Sequence, residues 1–202
     1  MSLHPDHLAD LRKSGLSDDT IAAMLVYSMS PAELMHFLGN AAPGIESAMA
    51  FPYFDAAGNK NGFTRIKIFP PLKDAKGHTI KYLQKKNSSP HLYILPAVAE
   101  LLGEAKIPLY IVEGEKKTAK AVEIGLAAIG IAGVWNWLQH GSHQAIDDFE
   151  SINLWRRQVV IVPDNDTWND EKKSENIRRA VYYLSRELKA RGASVKFLII
   201  GA

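Results

Sequence analysis

Cysteine is absent from all 202 residues of this chain. Its absence excludes disulfide bonds, a thiol nucleophile and any cysteine-ligated zinc or iron–sulfur site within these residues. The seven histidines show no spacing that pairs them convincingly as metal ligands, His140 and His143 included. A bound metal is therefore expected to be held mainly by oxygen ligands.

Long apolar runs are also missing. No segment approaches the roughly 18 to 20 consecutive apolar residues that a membrane helix requires, and the N-terminus has no basic-then-apolar signal pattern. The hydrophobic content of 47% is enough to bury one good core. We therefore predict a cytoplasmic protein with no membrane-spanning segment.

A large excess of charge of either sign is missing too. The formal net charge of +2 does not by itself indicate a nucleic-acid-binding protein. The charge is unevenly distributed, however. Residues 60–86 contain eight lysines and arginines against Asp74 alone, whereas the charged residues of 147–170 are mostly acidic, six acids against two arginines.

The N-terminal half predicts short helices followed by strands. Ser17 and Ser30 are expected to cap helices, the second through a Ser-Pro-Ala-Glu capping box. The helix after Ser17 would have its apolar residues Ile21, Met24, Leu25 and Met29 on one face, because they recur at helical spacing. Strands are predicted at residues 51–54, 62–69, 80–83 and 92–95, with Arg65 and Lys67 on one face of the second.

The C-terminal half alternates between strands and helices. Apolar runs at 108–112, 127–131, 159–162 and 195–200 predict strands, and helices are predicted at 115–124 and in a long segment ending at Arg191. Such alternation is typical of an α/β fold with a parallel sheet flanked by helices.

Two of these strands run directly into acidic residues. The strand at 108–112 is followed by Glu113, and the strand at 159–162 is followed by Asp164 and Asp166. Ligands of open parallel sheets bind at the carboxyl ends of the strands, so these carboxylates converge if the two strands are neighbours. Converging carboxylates repel one another unless a cation such as Mg²⁺ neutralises them. The alternative is that each acid is a solvated loop residue or a helix cap.

Residues 111–117, Ile-Val-Glu-Gly-Glu-Lys-Lys, are followed by Asp164-Asn165-Asp166, which begins 51 positions after Glu113. Together these segments resemble the two signature motifs of Toprim domains, which occur in bacterial primases, topoisomerases, and some nucleases and recombination proteins. The resemblance implies that Glu113 is an acid/base or metal-contacting residue and that Asp164 and Asp166 bind Mg²⁺, with Mn²⁺ as a substitute. It implies a catalytic and metal site formed by these three residues.

The segment upstream resembles the region before the Toprim domain in bacterial replicative primases. The resemblance rests on residues 63–70, 81–84 and 92–95, which in primases border a basic groove. It implies a nucleic-acid or nucleotide contact for the following residues: Arg65, Lys67, Lys81, Tyr82, Lys85, Lys86, Lys116 and Lys117. A closer resemblance is to the Toprim-like domain of phage- and plasmid-borne replication proteins, through residues 113–117 and 133–137.

The resemblance implies three segments: an N-terminal helical segment (1–47), a basic β-rich primase-like subdomain (48–105) and a Toprim domain (106–202). Two features depart from replicative primases. Lys116 and Lys117 replace an aspartate-containing sequence, and the cysteine-rich zinc module is missing.

Trp135 and Trp137 fit either base stacking or, more commonly, core packing.

These expectations amount to a primase-like function, Mg²⁺-dependent nucleotidyl transfer on a nucleic-acid template in phage or plasmid DNA replication. The partners would be single-stranded DNA or RNA and nucleoside triphosphates, with a helicase-like domain or partner beyond this chain. Two alternatives stay open: a metal-dependent nuclease of the Toprim type, and a non-catalytic nucleic-acid- or nucleotide-binding module of a larger replication protein.

Overall fold

The computed structural model describes residues 3–39, 43–142, 144–164 and 171–198, with backbone alone at 171–173. The chain divides into two compact units. The first comprises Met1–Tyr53 and Lys60–Ser88, and the second comprises Phe54–Asn59 and Ser89–Ala202. The three-segment division expected from the resemblance stays a prediction.

The first unit contains three short helices with well-defined ends: α1 (Pro5–Lys13), α2 (Asp18–Ala23) and α3 (Pro31–Leu38). The side chain of Ser17 accepts a hydrogen bond from the backbone N–H of Thr20, as expected for a cap. At Ser30 the full capping box is present, because Glu33 accepts from the Ser30 N–H and donates its own N–H to the Ser30 hydroxyl. Both predicted caps are confirmed.

The first unit also contains a four-stranded sheet in the order β1-β2-β3-β4. Its strands are β1 (Tyr27–Met29), β2 (Ser47–Phe54), β3 (Lys60–Lys73) and β4 (Thr79–Gln84). β1 pairs with β2, and β3 with β4, in antiparallel register. In β3, Ile66 and Ile68 are fully buried while Arg65 and Lys67 are only half-buried, so the predicted alternation of faces is confirmed.

Two predictions for this half of the chain are wrong. The helix after Ser17 ends at Ala23; Leu25 takes a positive φ of 52° and is 49% exposed, and Met29 lies in β1. Residues 92–95 do not form a strand, since only Tyr93 makes an isolated antiparallel bridge, to Gly130. These residues are nevertheless buried, so their apolar pattern reflects burial and not sheet pairing.

The second unit is built on a parallel four-stranded sheet in the order β6-β5-β7-β8. The strands are β5 (Leu109–Glu113), β6 (Ala127–Ile131), β7 (Gln158–Val162) and β8 (Ser194–Phe197). Helices α4 (Glu115–Glu123) and α5 (Glu171–Ala190) accompany two 3-10 helices, Pro96–Gly103 and Asp147–Ser151. The predicted α/β class, with a parallel sheet flanked by helices, is confirmed.

The sheet of the second unit is covered on both faces. Ile111, Ile129 and Ile161 pack in one core cluster with Leu184 and Leu188 of α5. The alternate strand residues face the other side of the sheet. They form a second cluster with Ala121 of α4, and its members from the strands are Val112, Ala128, Val160 and Val162. Burial on both faces explains why these strands are continuous apolar runs.

None of the helices in the described parts of the chain is long and apolar enough to cross a membrane.

Candidate metal and nucleotide site

Glu113 and Asp164 lie at the same edge of the parallel sheet. In the register of β5 and β7, Val112 is paired with Val162. Glu113 follows Val112 directly, and Asp164 follows Val162 by two residues. Because neighbouring strands are about 4.8 Å apart and parallel strands end at the same edge, the register brings these two carboxylate-bearing residues into one region.

The backbone turns sharply between Glu113 and α4. Gly114 has φ of 89°, which L-residues other than glycine adopt only at a cost, and its N–H donates to the carbonyl of Ile131 at 2.8 Å. The turn therefore fixes the end of β5 to the end of β6 and starts α4 at the same edge. The first-turn N–H groups of a helix favour an anion placed before them.

A cation lies against Asp164. The Nζ atom of Lys117, in the first turn of α4, is 2.5 Å from Oδ2 of Asp164. The Lys117 side chain is 53% exposed and that of Asp164 is 27% exposed, so this pair is accessible to solvent. The contact connects the first turn of α4 with the segment after β7, and it shows that the geometry around Asp164 accommodates a positive charge.

The second glutamate of the Glu-Gly-Glu-Lys-Lys segment has a different environment from the first. Glu115 is buried, with 2% of its surface exposed, whereas Glu113 is half-buried. Burial raises the pKa of the Tyr93 phenol well above its usual value, and the negative charge of Glu115 raises it further. Glu115 and Tyr93 were not identified from the sequence as site residues; the only signal was the second acid in the segment.

Helix α4 and Tyr93 pack closely against β6, next to the strand ends that carry Glu113 and Asp164. The backbones of Tyr93 and Gly130 exchange two hydrogen bonds of 2.8 Å, and the hydroxyl of Thr118 donates to the carbonyl of Gly114 at 2.8 Å. A Cβ atom placed on Gly130 would lie 2.5 Å from the Thr118 Oγ1 atom and 3.0 Å from Tyr93 Cβ. Only glycine lets α4 approach β6 this closely.

The predicted nucleic-acid contacts in β3, in β4 and directly after β4 lie in the first unit, and their environments differ. Lys67 forms an ion pair with Asp10 and is mostly buried. The Arg65 guanidinium lies 4.5 Å from the ring centroid of Tyr82, in cation–π geometry. Lys81, Lys85 and Lys86 are exposed. The nucleic-acid role of these residues stays a prediction.

The tryptophans near the end of β6 have different roles. Trp137 is 2% exposed and belongs to the core, which confirms the packing interpretation for this residue. Trp135 is half-buried, stacks on Trp137 with 6.5 Å between ring centroids, and donates its Nε1–H to Asn176 Oδ1 at 2.9 Å. Trp135 thus connects the segment after β6 with α5.

Asp166 lies outside the described residues. Within the described ranges, no group of three His, Asp or Glu side chains is arranged to hold a metal ion. The donor set still fits Mg²⁺ in its chemistry, because Glu113 and Asp164 offer hard oxygen ligands and Mg²⁺ takes few protein ligands. The predicted three-residue metal site stays a prediction.

Comparison with known proteins gives two similarities. A family model described as "Domain of unknown function (DUF3854)" matches residues 99–201, about half of the chain. The crystal structure of the Aquifex aeolicus primase, comprising its zinc-binding and RNA polymerase domains, is similar with a TM-score of 0.64 and 13% sequence identity. The similarity covers 98% of this chain and 50% of that chain, so this chain spans half the length of its structural neighbour. No curated protein matches.

At 13% identity, the similarity to the primase shows the fold. This chain has a primase-like fold, with a parallel sheet flanked by helices, as the resemblance noted in the sequence implied.

Proposed function

Because this chain belongs to the DUF3854 family, whose description assigns no activity, we propose its function from the site and the fold. We propose a primase-like protein of the Toprim type that carries out Mg²⁺-dependent nucleotidyl transfer on a nucleic-acid template, in phage or plasmid DNA replication. The observation that carries the proposal is the arrangement of Glu113, Asp164 and Lys117 at one edge of the sheet.

The carboxylates of Glu113, Asp164 and Asp166 would hold the metal. Mg²⁺ bound there would neutralise charge on phosphate oxygens and lower the pKa of the attacking hydroxyl. The protein's own contribution is positional: β5 and β7 hold the carboxylate-bearing residues at neighbouring strand ends, and the first turn of α4 adds N–H groups and the cations Lys116 and Lys117. These groups favour a nucleoside triphosphate by its charge.

The template would be single-stranded DNA or RNA, held by basic residues of the first unit. Lys81, Lys85 and Lys86 are exposed and can contact phosphates. Lys67 is already paired with Asp10, so we assign it a smaller share of such binding.

A second candidate function is supported by the ion pair itself. Lys117 neutralises Asp164 within the protein, which suits a module that binds nucleotide or nucleic acid without catalysis. In that case a larger replication protein would supply the chemistry.

The experiment is template-directed synthesis with labelled nucleoside triphosphates and Mg²⁺ or Mn²⁺ on single-stranded DNA. We expect extension products from the wild type and none from Glu113→Gln or Asp164→Asn. The control is Asp19→Asn, which makes the same charge change on an exposed residue of α2. Products shortened without nucleotides would indicate a nuclease instead.

Metal binding is measured separately by calorimetry. We expect Asp164→Asn to abolish Mg²⁺ binding without loss of the fold, because it removes charge at nearly constant shape. Metal binding and strand binding without synthesis would favour the non-catalytic module. Unchanged Mg²⁺ affinity in Asp164→Asn would contradict the metal assignment.

A further inference from the structure

A groove runs between α5 and the edge strand β8. It encloses about 410 Å³ and is lined by residues of α5, by Phe197 of β8 and by Pro163. Val195 and Phe197 of β8 have the same parity as Val159 and Ile161, which face α5, so the groove lies on the α5 side of the sheet. The groove is the solvent-exposed part of the apolar surface that α5 and the sheet form on that side.

The groove presents aromatic surface to solvent. Tyr182 is 58% exposed and Phe197 is 51% exposed, and the lining also includes the apolar residues Ile177 and Val181. Scattered apolar residues on a surface are common, but two large aromatic side chains beside one apolar groove are typical of a binding surface.

The groove is also bordered by positive charge. Arg178, Arg186 and Lys189 line it and are exposed, and none of its lining residues in the described part of the chain is acidic. The Arg186 guanidinium lies 6.0 Å from the ring centroid of Tyr182. A second copy of the chain docked face to face would bring like charges together, so the charge favours an anionic occupant.

The groove extends to Pro163, close to the edge of the sheet where Glu113 and Asp164 lie. Pro163 lines the groove, and the next residue is Asp164, which pairs with Lys117. An occupant that extends beyond Pro163 would pass the end of β7, where the residues proposed to hold the metal lie. An acidic peptide would match the charge of the groove but would have no function at the proposed metal site. A nucleic-acid strand would match the charge and is also the expected substrate of that site.

We propose that the α5–β8 groove binds single-stranded nucleic acid. The bases stack on Tyr182 and Phe197, and the phosphates contact Arg178, Arg186 and Lys189. Aromatic side chains together with cations along a groove are the usual means of binding single strands without sequence preference. The direction of the strand toward Asp164 rests on the proposed function; the binding itself does not.

The test is fluorescence anisotropy with labelled oligothymidylate and oligouridylate of about 20 nucleotides, a length that spans one such site. EDTA is present, so binding is measured without catalysis. We expect Tyr182→Ala and Arg186→Ala each to weaken binding about tenfold, in line with the loss of one stacked base or one phosphate contact. Tyr182→Trp should restore binding, because the indole also stacks.

The matched control is Arg179→Ala, which removes the same charge from an exposed position of α5 that does not line the groove. The salt dependence gives a second readout. The slope of log affinity against log salt should fall by about one for Arg186→Ala and stay unchanged for Tyr182→Ala. Equal effects of Arg179→Ala and Arg186→Ala would overturn the proposal, since net charge alone would then explain binding.

Three other outcomes would also overturn it. Wild-type affinity in both groove variants, with weaker binding in Lys81→Ala, would place the strand on the first unit and leave the proposed function standing. If Tyr182→Ala and Arg186→Ala lost binding to an acidic peptide but bound the oligonucleotides like the wild type, the groove would be a peptide site. A concentration-dependent dimer that Tyr182→Ala dissociates would make it a self-association surface. Failure of nucleotide synthesis with groove binding intact would instead count against the proposed function alone.

Discussion

The ammonium group of Lys117 lies 2.5 Å from Oδ2 of Asp164, and the two residues are 47 positions apart in the chain. A basic residue of the Glu-Gly-Glu-Lys-Lys segment thus provides a counter-charge for the acid that follows β7. Lys117 and a divalent metal would compete for this carboxylate.

Replacing Lys117 with methionine should therefore strengthen divalent-metal binding. The pair is half-exposed, and such pairs contribute about 0 to 1 kcal/mol, so we expect Mn²⁺ affinity to rise about twofold to fivefold. Calorimetry with Mn²⁺ measures it, with Lys106→Met as a control that makes the same change at an exposed position before β5. Mn²⁺ affinity in Lys117→Met that is no higher than in the control would show that Lys117 does not compete with the metal.

The stability of the first unit should depend on pH through His7. This side chain is fully buried, with its Nδ1 atom 2.7 Å from the Ser28 hydroxyl and its Nε2 atom 3.0 Å from the Ser47 hydroxyl. Burial lowers the pKa of His7 from 6.5 to about 4, and the neighbouring His4 adds to the effect. Between these values the unfolded chain binds a proton that the folded chain does not. The free energy of unfolding should therefore fall as pH falls from 6.5 to 4, by at most about 1.4 kcal/mol per pH unit.

The variant His7→Gln removes the titrating group and keeps a side chain that can hydrogen-bond to the serines. Urea unfolding across this pH range should show a shallower slope for His7→Gln than for the wild type. The control is His36→Gln, on an exposed position of α3. His91 has its pKa raised by its hydrogen bond to Asp148 and so acts in the opposite direction, but it is present in every variant. An unchanged slope in His7→Gln would contradict the assignment.

Arg157 is a buried arginine that stabilises the second unit through backbone carbonyls. It is fully buried, and its guanidinium donates to the carbonyls of Leu101, Leu102 and Ile107 at 2.7 to 2.8 Å. These carbonyls belong to the 3-10 helix Pro96–Gly103 and the turn before β5. Two of these carbonyls also accept a backbone N–H, that of Leu101 from Glu104 and that of Leu102 from Asn153, so Arg157 adds a second, charged donor to each.

Arg157→Met should lower the free energy of unfolding by about 3 kcal/mol, because it removes three buried hydrogen bonds from a charged donor. The control is Arg156→Met, on the exposed neighbouring residue, which should change stability by less than about 0.5 kcal/mol. Urea unfolding measures both. Similar losses in the two variants would mean that the carbonyl contacts of Arg157 contribute little.

The sequence predicted the parallel sheet and the carboxylates at its edge because both follow from local pattern. Strands buried on both faces are continuous apolar runs, and the acids directly follow two of them. The pattern did not distinguish a strand from any other buried segment. Residues 92–95 are therefore apolar and buried but pair only at Tyr93.

Features that depend on distant partners could not be predicted. Strand β1 has three residues and exists through its pairing with residues 48–50 of β2. Lys117 was expected to hold phosphate, and nothing local indicated its contact with Asp164. Likewise the spacing of the histidines did not indicate that His7 is buried, because its partners Ser28 and Ser47 lie elsewhere in the chain.

Gly130 should tolerate no side chain, because of the close approach of α4 to β6. In Gly130→Ala the new Cβ atom would lie 2.5 Å from Thr118 Oγ1, and Thr118 would have to move from its hydrogen bond with the Gly114 carbonyl. We expect a loss of about 2 to 3 kcal/mol in the free energy of unfolding, as for other overpacked sites. Gly133→Ala is the control, since its nearest neighbour would be 3.6 Å away. The double variant Gly130→Ala with Thr118→Ala should be more stable than the sum of the single changes predicts, because the closest contact is gone. Additive losses measured by urea unfolding would show that the contact with Thr118 is not what requires glycine at this position.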